Sequence, residues 1–181
     1  MKRDGRKIAA VVCWDSNTAA AADAAGVDLV SVGDSAAADF DELLAFCASV
    51  RRGVGRALVS CDLPDPTVAN ARRVAGLGAD MVKVEGVDAV RELAAAGLTV
   101  FAQIERAAEA KPMEDAGAAL IDFRHSGPEA GAEAVAAVRI PVLGGLGGGP
   151  WLDGRVRAAH RLLELASFVD DVRAARPVAG D

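Results

Sequence analysis

The chain has 181 residues, 52% of them hydrophobic, which suits one domain over residues 1–181 with a substantial core. Its 26 acidic and 20 basic side chains leave a net charge of −6, and the basic residues are scattered rather than gathered in a stripe, so no nucleic-acid partner is expected. The charged stretch Met1 to Lys7 runs into a short apolar segment broken at Trp14-Asp15, so the sequence predicts no signal peptide, no membrane span and a cytoplasmic protein.

Ile8 to Cys13 reads as a first strand, followed by a helix capped at Ser16 or Asn17 and stopped at Gly26. A second strand starts at Val27 and ends on Gly33-Asp34-Ser35; a helix opens at Asp39 or Asp41 and continues to about Arg51. Ala57 to Asp62 is a third strand, closed by Pro64 and Pro66, which set up the helix Thr67 to Ala75. Ala79 to Glu85 is the fourth strand and Val87 to Ala96 its helix. Leu98 to Glu105 and Ala118 to Phe123 are strands five and six, separated by a helix over Ala107 to Ala116 that Pro112 interrupts. The sixth helix runs from Glu129 to Arg139 and the seventh strand from Ile140 to Leu143, leading into the glycine-rich segment Gly144 to Pro150. Gly154 to Leu165 holds a strand, a helix, or one passing into the other, and Phe168 to Ala175 is a closing helix capped by Ser167. Cys13, Cys47 and Cys61 have no metal-ligand spacing and are expected to be reduced and buried.

Repeated strand–helix units with short connections imply a parallel sheet, since parallel neighbours need a crossover. Seven or eight of them predict an α/β fold, a compact (β/α)8 TIM barrel with short loops, against an open doubly wound sheet as the alternative. A barrel usually takes about 250 residues, so this one is trimmed.

Asp34, Asp62 and Glu85 sit at or near the ends of strands two, three and four, about one strand–helix unit apart. In a parallel barrel all carboxyl-terminal strand ends share one face, so these acids are expected to meet there. An isolated Asp at a strand end commonly caps a helix or shapes a turn. Three acids on adjacent strands point instead to a hard divalent cation, Mg2+, bound through oxygen. Lys83 shares a strand face with Glu85 and either meets anions in the barrel mouth or snorkels to water at the rim. With Ser35 beside Asp34, the group suits a small 2-oxo acid. The Gly144 to Gly149 segment lacks the lysine and Ser/Thr of a phosphate loop, so close packing at the barrel end is expected of it.

Several segments are similar to the ketopantoate hydroxymethyltransferase family, within the phosphoenolpyruvate mutase and isocitrate lyase superfamily. They are Ala22-Asp23-Ala24-Ala25-Gly26-Val27-Asp28 leading to Val32-Gly33-Asp34-Ser35, then Asp62-Leu63-Pro64, Val82-Lys83-Val84-Glu85-Gly86, and Gly145 to Pro150 with Asp153-Gly154 and His160 to Leu163. The resemblance implies a barrel in which Asp34 and Asp62 ligate Mg2+, Glu85 reaches it directly or through water, and Ser35 and Lys83 contact the 2-oxo acid. It also implies an enolate that adds to a one-carbon unit from methylenetetrahydrofolate, and a homo-oligomer.

The chain departs from the family at the base. The family's strand-six Glu is matched to Phe123, with Asp122 expected on the opposite face, and its strand-five His to Gln103. The loops after Ser35 and Pro64 are nearly absent. By strand parity either Glu105 or His125 could be the replacement base, against a solvated helix start at Glu105-Arg106 and a surface histidine, while His160 is expected to be structural. The sequence thus predicts an Mg2+-dependent enzyme making or breaking a carbon–carbon bond by aldol-type chemistry. The alternative is a weakened paralogue that serves as a ligand- or partner-binding scaffold.

Overall fold

The strands β1 (Ile8–Val12), β2 (Leu29–Val32), β3 (Leu58–Asp62), β4 (Met81–Glu85), β5 (Val100–Ile104), β6 (Leu120–Phe123), β7 (Val142–Gly144) and β8 (Gly154–Ala158) pair in sequence order, all parallel. β8 returns to β1 through the register Ile8↔Gly154 to Val12↔Ala158 and closes the barrel. The helices are α1 (Ser16–Ala24), α2 (Phe40–Gly53), α3 (Val68–Gly76), α4 (Val87–Ala95), α5 (Ala110–Asp115), α6 (Pro128–Ala137) and α7 (Leu165–Ala174). The computed structural model describes residues 5–161 and 165–174, without the side chains of Asp34 and Arg161. The fold is therefore the expected (β/α)8 barrel; closure removes the open-sheet alternative and makes Gly154–Ala158 the eighth strand.

Strand alternation divides the apolar residues into two bodies. Ile8, Ala10, Leu29, Phe101, Leu120 and Leu143 pack together inside the barrel. Their strand neighbours, among them Val11, Val30, Val59, Val82, Ala102 and Ile121, join the larger core under the helices. Cys13, Cys47 and Cys61 are buried in that outer core and form no disulfide. Burial, with Asp15 nearby, pushes the Cys13 thiol up to about 12.

Caps differ from the sequence reading at two helices. Asp15, rather than Ser16 or Asn17, caps α1, because one of its carboxylate oxygens accepts from the N–H groups of both Asn17 and Thr18, each at 2.9 Å. Ser167 lies within α7, since Leu165 also packs on the core and carries the helix further toward its amino end. Asp39 and Thr67 cap α2 and α3.

A device not read from the sequence holds the amino-terminal ends of the strands together. Asp28, just ahead of β2, donates its N–H to the carbonyl of Ala9 at 2.9 Å and accepts the Ala9 N–H on its carboxylate at 3.0 Å. Asp80, just ahead of β4, does the same to Val59, with both bonds at 2.8 Å. Asp153, ahead of β8, does so to Val142 at 2.8 and 2.9 Å. Each carboxylate replaces a ladder partner that the shorter neighbouring strand no longer supplies. Asp23 acts similarly between units, accepting from the N–H groups of Gly55, Arg56 and Ala57. Although burial opposes it, these bonds hold the Asp23 carboxyl below its ordinary range.

Asp80→Ala is expected to leave the Val59 N–H without its acceptor and to lower the unfolding free energy by about 1–3 kcal/mol. Urea denaturation checks the loss, and catalytic rates should be unchanged because Asp80 lies at the end opposite the charged mouth.

Candidate active site

Above the apolar plug inside the barrel, the inward side chains become polar. Ser60 donates its hydroxyl to Ser31 at 2.9 Å, a buried bond between β3 and β2. At the next level Lys83 points inward from β4 and is buried among acids. Its Nζ lies 2.7 Å from Asp122 Oδ2 on β6 and 3.9 Å from Asp62 Oδ1 on β3, with side chains only 9% and 8% exposed for Lys83 and Asp122. The ammonium also sits 5.5 Å from the centroid of the Phe101 ring below it. Burial alone would depress the Lys83 pKa, but Asp122 and Asp62 outweigh it and hold it above its ordinary value of 10.5. Lys83 is therefore a fixed positive charge.

A cavity of about 290 Å³ opens over this ion pair toward the carboxyl-terminal rim. Asp62, Lys83, Glu85, Gln103 and Arg124 bring charge and hydrogen bonds to it, while Leu63, Pro64, Pro66 and Val84 form its apolar side. Gln103 is buried on β5 in register with Glu85, and its amide nitrogen donates to the Glu85 carboxylate. A second hollow, of about 800 Å³, shares Glu85 and Gln103 with the first and extends along Glu105, Arg106 and Glu109 to Pro112 and Met113.

Of the residues the sequence singled out, Asp62, Lys83 and Glu85 line one cavity. The Asp34 side chain lies outside the described residues; its backbone begins a short 3₁₀ turn, Asp34–Ala36, that also carries the exposed Ser35. Glu105 and His125 meet each other at 3.9 Å on the rim, with side chains 68% and 80% exposed, and neither lines the cavity over Lys83. His125 adopts a left-handed backbone, φ 54°, which turns it out of the strand line. His160 packs its ring on Trp14 with centroids 5.7 Å apart, and the Trp14 indole donates to the Gly33 carbonyl at 2.9 Å.

One expectation is reversed. Asp122 faces the barrel interior, and Phe123 is buried in the core under the helices. Any β6 side chain that meets a ligand must share the parity of Asp122, and the next such residue is Arg124, at the cavity. The glycine-rich turn is packed as expected. A Cβ at Gly148 would come within 2.3 Å of the Leu152 side chain, and one at Gly131 within 2.5 Å of the Gly148 carbonyl. Arg155 fixes the turn by donating to the carbonyls of Gly145 and Gly149.

The donor set suits a hard cation in type, since Asp62 and Glu85 both present oxygen to one cavity and Mg2+ binds through one or two carboxylates while keeping waters. Among the described residues no cluster of three or more His, Cys, Asp or Glu could hold a metal. No described helix is long and apolar enough to cross a membrane.

Charged side chains converging over the carboxyl-terminal ends of β3 to β6 define the class: a (β/α)8-barrel enzyme whose site is built from strand ends. The ketopantoate hydroxymethyltransferase family model matches residues 1–106. A 3-methyl-2-oxobutanoate hydroxymethyltransferase of Pseudomonas fluorescens (strain Pf0-1) is 32% identical over 212 aligned positions, covering 92% of this chain and 79% of that protein. The chain belongs to the ketopantoate hydroxymethyltransferase family and, with it, to enzymes that make or break carbon–carbon bonds. Because the aligned span exceeds the 181 residues present here, the relative carries insertions within it. Among solved structures, a thiamine phosphate pyrophosphorylase from Pyrococcus furiosus superposes with a TM-score of 0.72 at 18% identity, covering 94% of this chain and 95% of that one. A 2,3-dimethylmalate lyase of the PEP mutase/isocitrate lyase superfamily gives 0.68 at 12%, covering 88% and 78%. At these identities the likeness is one of fold.

Lys83→Met is expected to leave Asp122 buried without its counter-ion, at a cost of about 3–5 kcal/mol, and the pair Lys83→Met/Asp122→Leu to recover most of it. Because the folded-state pKa of Lys83 is raised, its contribution is complete below the ordinary value and is lost only as pH rises through the folded value. Denaturant titrations of the wild type and Lys83→Met should thus differ through neutral pH and converge only as pH rises through the raised Lys83 value.

Proposed function

We propose that the chain is an Mg2+-dependent enzyme acting on a small 2-oxo acid through its enolate, with aldol-type formation or cleavage of a carbon–carbon bond. The observation that carries this reading is the placement of Lys83 between Asp62 and Asp122, in a cavity also lined by Glu85. Asp62 and Glu85, with Asp34, would hold the cation. Bound there, Mg2+ would supply Lewis-acid stabilisation of negative charge developing on the substrate's keto oxygen.

The chain's own groups account for binding and orientation. Lys83 receives the substrate carboxylate, since its ammonium has three donors and the Asp122 bond leaves some of them to the cavity. Ser35, at the turn after β2, adds a hydroxyl donor. Gln103 fixes the rotamer of Glu85, which is costly for a carboxylate to hold alone at an open mouth. The second hollow adjoins the cavity at Glu85 and Gln103, and the electrophile approaches from there. Glu105 lines that hollow, with His125 3.9 Å from it on the rim, and these two are the groups assigned to move the proton next to the keto carbon. Methylenetetrahydrofolate is the first one-carbon donor to test. The protein is proposed to be cytoplasmic and a homo-oligomer.

The exposure of Glu105 and His125 favours a second reading, a paralogue that binds a 2-oxo acid and turns it over slowly. Product analysis separates the two. Incubation of 3-methyl-2-oxobutanoate with 13C-labelled formaldehyde or methylenetetrahydrofolate and Mg2+ should give a labelled hydroxymethyl product by mass spectrometry. Asp62→Asn and Glu85→Gln should each lower kcat/KM by about a hundredfold or more. Binding of the oxo acid with no product from either donor would favour the scaffold.

A further inference from the structure

Arg124 is the charged residue of the cavity that neither the fold nor the reading above uses. It follows β6, two residues beyond Asp122 and on the same face, and it lines the cavity with Asp62, Lys83, Glu85 and Gln103. Its backbone is fixed, its N–H donating to the Ile104 carbonyl at 2.9 Å. Among the described residues no carboxylate stands within ion-pair distance of its guanidinium. Arg106, on the neighbouring β5 side, is by contrast held by Glu109 at 2.6 Å.

Two cations therefore face one small cavity at different depths. Lys83 lies at the floor, neutralised in part by Asp122 and Asp62. Arg124 follows the last residue of β6 and so stands nearer the rim than Asp122 and the Lys83 ammonium it pairs with. An arginine fork matches a carboxylate with two parallel bonds and retains its charge at every working pH. A substrate with a branched alkyl tail would place that tail among Leu63, Pro64, Pro66 and Val84 and leave the guanidinium unused.

We propose that Arg124 makes this site selective for 2-oxo acids carrying a second carboxylate, with the first bound at Lys83 and the second at Arg124. The proposal rests on the reading that the cavity binds a 2-oxo acid, and extends it by naming the class. Arg124 here sets specificity and takes no part in the proton transfer.

Calorimetric titration in the presence of Mg2+ tests the proposal with two pairs of acids differing by one carboxylate: 2-oxoglutarate against 2-oxopentanoate, and oxaloacetate against 2-oxobutanoate. The wild type is expected to bind at least one dicarboxylate about tenfold or more tightly than its monocarboxylate partner. Arg124→Gln should remove that preference and leave the monocarboxylate within about twofold, and Arg124→Lys should restore part of it. Equal affinity within both pairs for the wild type, or a loss in Arg124→Gln that falls alike on mono- and dicarboxylates, would overturn the role of Arg124 and leave the 2-oxo-acid reading standing. No binding of any of the four acids by a protein that melts like a folded domain would overturn both.

Discussion

The ion pair between Lys83 and Asp122 is the interaction on which the site depends. A lysine inside a barrel is sustained only by anions, and the 2.7 Å contact to Asp122, with Asp62 beyond it, provides them. It joins β4 to β6 across the interior and sets the height at which apolar packing stops and chemistry can begin. Below it are Phe101, Leu120 and Leu143, and above it is an open, polar mouth. Such a pair is a modest contributor to stability when intact and costly when broken, so its presence speaks for a required charge more than for a required strength.

The barrel places its carboxylates in two sets with different work. Asp28, Asp80 and Asp153 stand at strand beginnings and close the backbone of the neighbouring strand, a job that needs only an acceptor in a fixed place. Asp62, Glu85 and Asp122 stand at strand ends or just inside them and face the cavity or its floor. The separation follows from the fold, because every strand of a parallel barrel enters at one face and leaves at the other. Short connections leave the cavity over the second set open at the carboxyl-terminal face, and the aligned relative carries residues within its span that this chain lacks.

The strands and the helices between them were legible because glycine, proline and capping residues punctuate each unit. Convergence of Asp62, Lys83 and Glu85 was legible from their positions near strand ends. Side-chain parity on β6 was not. Leu120, Ile121, Asp122 and Phe123 are all buried, so the strand shows no alternation from which an inner face can be told from an outer one. What settles it is the pairing with β5: Gln103, which the sequence already placed toward the mouth, is in register with Asp122, and that register is not written in either strand alone. The strand-start aspartates were hidden for a different reason. Asp23 and Asp28 lie in a segment that resembles the family, but an acceptor for a backbone N–H on a distant strand leaves no local pattern.

The reading of this site as one that forms an enolate is tested most directly by proton exchange, because exchange requires no electrophile. The signals next to the keto group of 3-methyl-2-oxobutanoate, pyruvate and 2-oxoglutarate would be followed by NMR in D2O, with Mg2+ and with EDTA. The account predicts exchange of at least one acid that depends on Mg2+ and disappears in Asp62→Asn. Binding of the acids with no exchange, or exchange indifferent to both EDTA and Asp62→Asn, would contradict it.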